Sequence, residues 1–97
     1  MSESDIQRDI VDYLRAAGWL VVVFSENRAK RKSQAGWVDW IAFRHGVTVL
    51  GQTKKPGGKL TPAEAKFEYE VRQHLWSTLR YVEPVNLDDV IAVTQGG

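Results

Sequence analysis

Apolar and polar positions alternate along the chain in a way that divides it into seven elements. Ile6, Ile10, Tyr13, Leu14 and Ala17 recur at helical spacing and predict an amphipathic helix over about Asp5 to Ala17. Ser2 or Ser4 can cap it, with Gln7 three residues after Ser4 completing a capping box, and Gly18 suits the position just past its end. Trp19 to Phe24 is a continuous apolar, β-branched run, the pattern of a strand covered on both faces. Ser25 to Ala35 has no apolar period and reads as a basic, mobile loop. Val38 to Arg44 and Val47 to Lys54 alternate with period two around His45-Gly46, a pair able to take the positive φ angles of a two-residue hairpin turn. Lys55-Pro56-Gly57-Gly58-Lys59 cannot continue a strand, since proline lacks the amide donor and glycines weaken pairing.

Thr61 as cap, Pro62 at the first helical position and Glu64 three residues after the cap start a second helix, over about Pro62 to Trp76. Ala65, Phe67, Tyr69, Val71, Leu75 and Trp76 supply its apolar content, and Glu68, Arg72 and Gln73 its exposed side. Leu79 to Val85 reads as a short strand, and Asn86 caps a final helix over Leu87 to Val93. The resulting order is αβββαβα: one α/β domain over residues 1–97, with a mixed sheet flanked by helices.

The hairpin turn also sets a register. If Arg44 faces Val47, Asp39 falls opposite Gln52, on one face with Lys54, Ile41, Phe43, Thr48 and Leu50, the last four forming its buried part. Asp39, Gln52 and Lys54 then lie at the open end of the hairpin and His45 at its far tip, as a turn residue. His74 falls late in the second helix as polar surface. The four tryptophans suit core or dimer surface better than base stacking, with Trp37 the nearest to the site.

Composition adds a charge asymmetry. The net charge is +1, yet between Arg28 and Lys59 eight basic residues accompany Asp39 as the single acid, and the rest of the chain is acidic. Arg28, Lys30, Arg31, Lys32, Lys55 and Lys59 are candidate contacts to the phosphates of a polyanion, a mode that weakens steeply with salt; a solvated basic loop is the plain alternative. The absence of cysteine excludes disulfides and thiolate metal sites. No run approaches the ~18 apolar residues of a membrane span, and Met-Ser-Glu-Ser-Asp lacks the blocks of a signal peptide, so a soluble, cytoplasmic protein without a membrane partner is expected.

An aspartate beside a second oxygen ligand, with a lysine two residues on, outlines a divalent-metal site for phosphodiester hydrolysis. From spacing alone the signal is weak, because Asp and Lys at strand ends are usually solvated. Gly36-Trp37-Val38-Asp39, the hairpin, Gln52-Thr53-Lys54 and Lys55-Pro56-Gly57-Gly58-Lys59-Leu60-Thr61-Pro62 resemble the PD-(D/E)XK nucleases, specifically the virus-type replication-repair nuclease (VRR-NUC) family. Ser2-Glu3-Ser4-Asp5-Ile6-Gln7 and Leu87-Asp88-Asp89-Val90-Ile91 are also similar to that family, so the resemblance spans nearly the whole chain. It implies a restriction-endonuclease-like fold, Mg²⁺- or Mn²⁺-dependent DNA cleavage, and homodimers acting on branched DNA such as four-way junctions, from a bacterial host or phage.

Within that resemblance Asp39 matches the metal-binding aspartate, Lys54 the motif lysine, Glu3 the acid opening the first helix and Gln7 an auxiliary glutamine four residues on. Without it, Glu3 is a first-turn carboxylate favoured by the helix dipole. Val38 stands where the motif has proline, and Gln52 where it has the second catalytic carboxylate. A carboxamide ligates without negative charge, which lowers metal affinity. Three accounts of Gln52 stand open: an inactivating change, a native shell completed by the Thr53 carbonyl and another carboxylate, or a weakened DNA binder. Glu64 occupies a position where the resemblance implies glutamine, so it is either that further carboxylate or only half of its capping box.

Overall fold

Helix α1 spans Glu3–Ala16 and begins earlier than its apolar period suggests. The cap is Ser2: its hydroxyl accepts from the Asp5 amide at 3.1 Å and the Asp5 carboxylate accepts from the Ser2 amide at 3.3 Å. Ser4 is therefore inside the first turn, and Gln7 is not part of the box. A charged Asp5 near the positive helix N-terminus is the better acceptor. The computed structural model describes residues 2–24 and 36–95.

Strands β1 (Leu20–Val23), β2 (Trp40–Arg44), β3 (Val47–Gly51) and β4 (Leu79–Val82) form one sheet in the order β1-β2-β3-β4. The first two pairings are antiparallel and β3–β4 is parallel. Helices α2 (Pro62–Val71) and α3 (Leu87–Thr94) complete the predicted α/β order αβββαβα with its mixed sheet. The hairpin register is as the turn dictates: Arg44 faces Val47, and His45 and Gly46 take φ angles of 49° and 82°.

Of the face expected to be buried, Leu50 is buried, Ile41 and Thr48 are half-buried and Phe43 is exposed; the main core lies on the other face. Trp40, Ala42, Val47 and Val49 pack with Ile6, Ile10, Val11 and Leu14 of α1 and Val90 of α3 in the main core. The Ile41–Leu50 face is covered only in part, by Phe67 and Val71 of α2, and Phe43 at its end is 40% exposed. Two helices cover one side of the sheet and one short helix the other. For the same reason β1 is not covered on both faces: Val21 is buried, whereas Leu20 is 65% exposed.

Element ends differ where the backbone finds other partners. Helix α2 stops at Val71 rather than Trp76, because Trp76 and Leu79 bond to each other's backbone at 3.0 and 3.1 Å across a tight turn. Trp76 and Tyr69, counted among its apolar content, are 75% and 71% exposed. Trp19 and Trp40 are core, and Trp37 stacks edge-on between Phe24 and Phe67. Strand β4 ends before Pro84, which has no amide to donate.

The glycine at position 51 is demanded by packing. A methyl on Gly51 would fall inside the Trp40 indole, which lies across it. Gly51→Ala should cost about 2–3 kcal/mol through overpacking, more than the ~1 kcal/mol of Gly46→Ala, whose added carbon meets only open space but whose positive φ is strained. Urea midpoints of the two variants check this; equal losses would contradict the close approach.

Candidate active site

The open end of the hairpin departs from simple pairing at one residue. The Asp39 amide donates to the Gly51 carbonyl at 2.9 Å, although the partner of Gly51 is Trp40. Two residues of one strand thus face one of the other, the arrangement of a β-bulge, which re-aims a side chain. The expected opposition of Asp39 and Gln52 gives way to a different contact: the Asp39 carboxylate accepts from the Thr53 amide at 2.9 Å. The neighbouring Trp40 indole N–H donates to the Thr53 hydroxyl at 3.1 Å. Thr53, fully buried, is therefore gripped at amide and hydroxyl by consecutive residues.

Gln52 and Lys54 flank that grip and both reach toward α2. Gln52 is fully buried; its side-chain nitrogen donates to the Gly36 carbonyl at a long 3.4 Å, and its Oε1 is buried without a partner. Gly36, at φ 81°, rests so close to the Ala63 carbonyl that a methyl there would collide. An orphaned buried carbonyl costs roughly 1–3 kcal/mol and calls for a chemical explanation.

The Lys54 ammonium donates to Glu64 Oε1 at 2.7 Å, with the side chains only 13% and 17% exposed. The same Oε1 accepts from the Thr61 amide at 3.0 Å, while the Glu64 amide donates to the Thr61 hydroxyl at 3.1 Å. The capping box is thus real, and it also aims Glu64 at Lys54. Burial alone would raise the Glu64 carboxyl, but the bonds from Lys54 and Thr61 outweigh it and hold it below its usual range.

Asp39 behaves in the opposite way. Burial pushes its carboxyl up to about 6, assisted by the charges of Glu3 and Glu64 and opposed by the Thr53 amide and by Lys54. Glu3, exposed in the first turn of α1, is therefore electrostatically within reach of Asp39 despite its distance in sequence. Gln7 lies half-buried one turn further along α1. Lys55 and Lys59 are exposed on the turn after Lys54, where the Gly58 amide donates to the Lys55 carbonyl at 2.8 Å. Arg28, Lys30, Arg31 and Lys32 lie outside the described residues. His45 is exposed at the far tip and His74 is exposed beyond α2.

A second polar group escapes sequence reasoning. The Tyr81 hydroxyl donates to Glu83 at 2.8 Å, and Arg72 lies over the Tyr81 ring while pairing with Glu68 at 2.8 Å. Burial raises the Glu83 carboxyl; the Tyr81 bond lowers it and the charge of Glu68 raises it again. Its signal in the chain is only an acid at the end of a strand, which is commonplace.

The oxygens at the open end of the hairpin are of the type a hard divalent cation takes: the Asp39 carboxylate, whose charge is poorly solvated, and the buried Gln52 carbonyl oxygen, which lacks a donor. Among the described residues no three acidic or imidazole groups converge as a ready metal cluster. Thr53 shows its amide and hydroxyl engaged, and Glu64 its Oε1.

A raised Asp39 carboxyl means that the folded chain binds more protons than the unfolded one between about pH 4 and 6, so stability falls as pH rises through that window. Asp39→Asn keeps an acceptor for the Thr53 amide and removes the charge. In metal-free buffer it should be more stable than the parent at pH 7 by on the order of 1–2 kcal/mol, and equal near pH 4. Thermal melts across this range check the sign; a variant less stable at pH 7 would contradict it.

Comparison with family models, with curated proteins and with solved structures finds no match to this chain.

Proposed function

We propose that this chain is a divalent-metal-dependent, structure-selective DNA endonuclease that hydrolyses phosphodiester bonds at branched DNA such as four-way junctions. The observation that carries this reading is that the Asp39 carboxylate holds Thr53, whose two neighbours at the open end of the hairpin are Gln52, with its buried unpartnered oxygen, and Lys54, whose charge acts on Asp39. The resemblance to VRR-NUC proteins, and through them to the restriction-endonuclease-like fold, supplies the reaction class, the homodimer and a cytoplasmic setting in a bacterial host, whether or not phage-encoded. No helix among the described residues is long and apolar enough to cross a membrane, which is compatible with that setting.

Asp39, Gln52 Oε1, the Thr53 carbonyl and Glu64 are the oxygens that would hold Mg²⁺ or Mn²⁺, which lowers the pKa of a bound water and offsets charge on phosphorus. Asp39 is ionised above about pH 6, and Glu3 lends negative potential nearby. Lys54, steadied by Glu64, presents a cation to the oxygens of a phosphate on which charge develops in the transition state. Because both of its bonds use Oε1, Glu64 serves as cap and as tether together. Lys55 and Lys59, with Arg28, Lys30, Arg31 and Lys32, bind the backbone of the DNA and fix its position without reading bases.

One observation favours a second reading. Gln52 carries no charge, and a site with Asp39 as its central acid suits a non-catalytic junction-binding module.

Assays on four-way, flap and linear DNA with Mg²⁺ or Mn²⁺ separate the two. Cleavage of branched DNA should depend on the cation, fall by about 10³-fold or more in Asp39→Asn, and drop in Glu64→Gln as Lys54 loses its tether. Junction binding without cleavage by the parent chain would favour the binder, and full activity in Glu64→Gln would remove Glu64 from the mechanism.

A further inference from the structure

Charge at the open end of the hairpin is one unit short of what a two-carboxylate site brings. Asp39 contributes one negative charge and Gln52 none, while Glu64 is balanced by Lys54 at 2.7 Å. Mg²⁺ commonly binds protein through one or two carboxylates, and with Glu64 shared with Lys54 a further anionic oxygen would strengthen the site.

The pairing of β3 with β4 supplies a candidate. Leu50 faces Tyr81 and Gly51 faces Val82 in parallel register. The Gln52 amide donates to the Val82 carbonyl and the Lys54 amide to the Pro84 carbonyl, both at 2.9 Å, so the same register continues past the ends of both strands. Gln52 and Glu83 are therefore lateral neighbours, on strands that run roughly 4.8 Å apart. Neighbours on one rung share a face, and the bond from Tyr81 keeps Glu83 on the α2 face, where Tyr81 packs with Leu50 and Val38.

We propose that Glu83 takes over the role left vacant by a carboxylate at position 52: it sits on the rung beside the buried, unpartnered Gln52 Oε1 and supplies anionic oxygen to a divalent cation held there. This rests on the metal-dependent reading above. In the structure Glu83 is turned to the Tyr81 hydroxyl, close to the like-charged Glu68. Glu68 has its own partner in Arg72 at 2.8 Å, so departure of Glu83 toward a cation relieves its repulsion with Glu68 at the cost of the Tyr81 bond and the attraction of Arg72. Parallel pairing is what brings this acid to the site; along the chain it lies 31 residues from Gln52.

The experiment is an Mn²⁺ titration of the full chain without DNA, read by calorimetry and by loss of the free-ion EPR signal. Glu83→Gln should weaken Mn²⁺ binding about tenfold or more, and adding Gln52→Glu to it should restore the parent affinity. Tyr81→Phe, which frees Glu83, should tighten binding several-fold and keeps the test open if Glu83→Gln does not fold. Unchanged affinity in both Glu83→Gln and Tyr81→Phe, with binding lost in Asp39→Asn, overturns the role of Glu83 and leaves the metal site standing. Absence of Mn²⁺ binding by the parent chain overturns both.

Discussion

The grip of Asp39 and Trp40 on Thr53 is the interaction on which the site depends. The Asp39 carboxylate accepts the Thr53 amide and the Trp40 indole donates to the Thr53 hydroxyl, at 2.9 and 3.1 Å. The second bond is made by an indole that lies across Gly51, where no side chain can stand. With Thr53 fixed from two directions, the residues on either side of it are fixed as well: Gln52 turns under Gly36, and Lys54 turns to Glu64. The bulge at Asp39 serves this arrangement by letting two residues of β2 work opposite one of β3.

Much of this was legible in the chain because the relevant signals are local. His45-Gly46 specifies the hairpin and its register, Thr61-Pro62-Ala63-Glu64 starts α2, and Asn86 caps α3. Each depends on residues at most a few positions apart. The rest depends on contacts that no local pattern encodes. A bulge shifts the alternation beyond it by one residue, so that Val38 and Trp40 fall in different cores, but apolar residues at both positions hide that shift in the chain, and the opposition of Asp39 and Gln52 looks sound until the backbone bonds are seen. The more buried face of the hairpin follows from where three helices pack, and with apolar residues on both faces the choice of Ile41, Phe43, Thr48 and Leu50 as its buried part fell on the less covered side. The length of α2 is cut by the Trp76–Leu79 bridge, a competitor that helical spacing cannot register. Glu83 depends on a parallel pairing across 31 residues.

The electrostatic character of the site follows from burial more than from composition. The chain between Arg28 and Lys59 is basic in sequence, yet Asp39 feels the charges of Glu3 and Glu64 and is poorly solvated, so its proton is held unusually tightly. Lys54 offsets only part of this because Glu64 already claims it. A desolvated carboxylate of this kind would gain stability from a small cation, which is the physical basis of the metal-dependent proposal. Gln52 moderates the effect: its carbonyl offers a ligand while sparing the interior another charge, which a buried carboxylate would impose whenever no cation is bound.

The most direct measurement is anomalous scattering from a crystal soaked in Mn²⁺. The proposed function requires a peak within ligand distance of the Asp39 carboxylate and Gln52 Oε1. A soaked crystal with both groups ordered and no peak beside Asp39 would contradict it, and would leave the hairpin as a structural element of a nucleic-acid-binding domain.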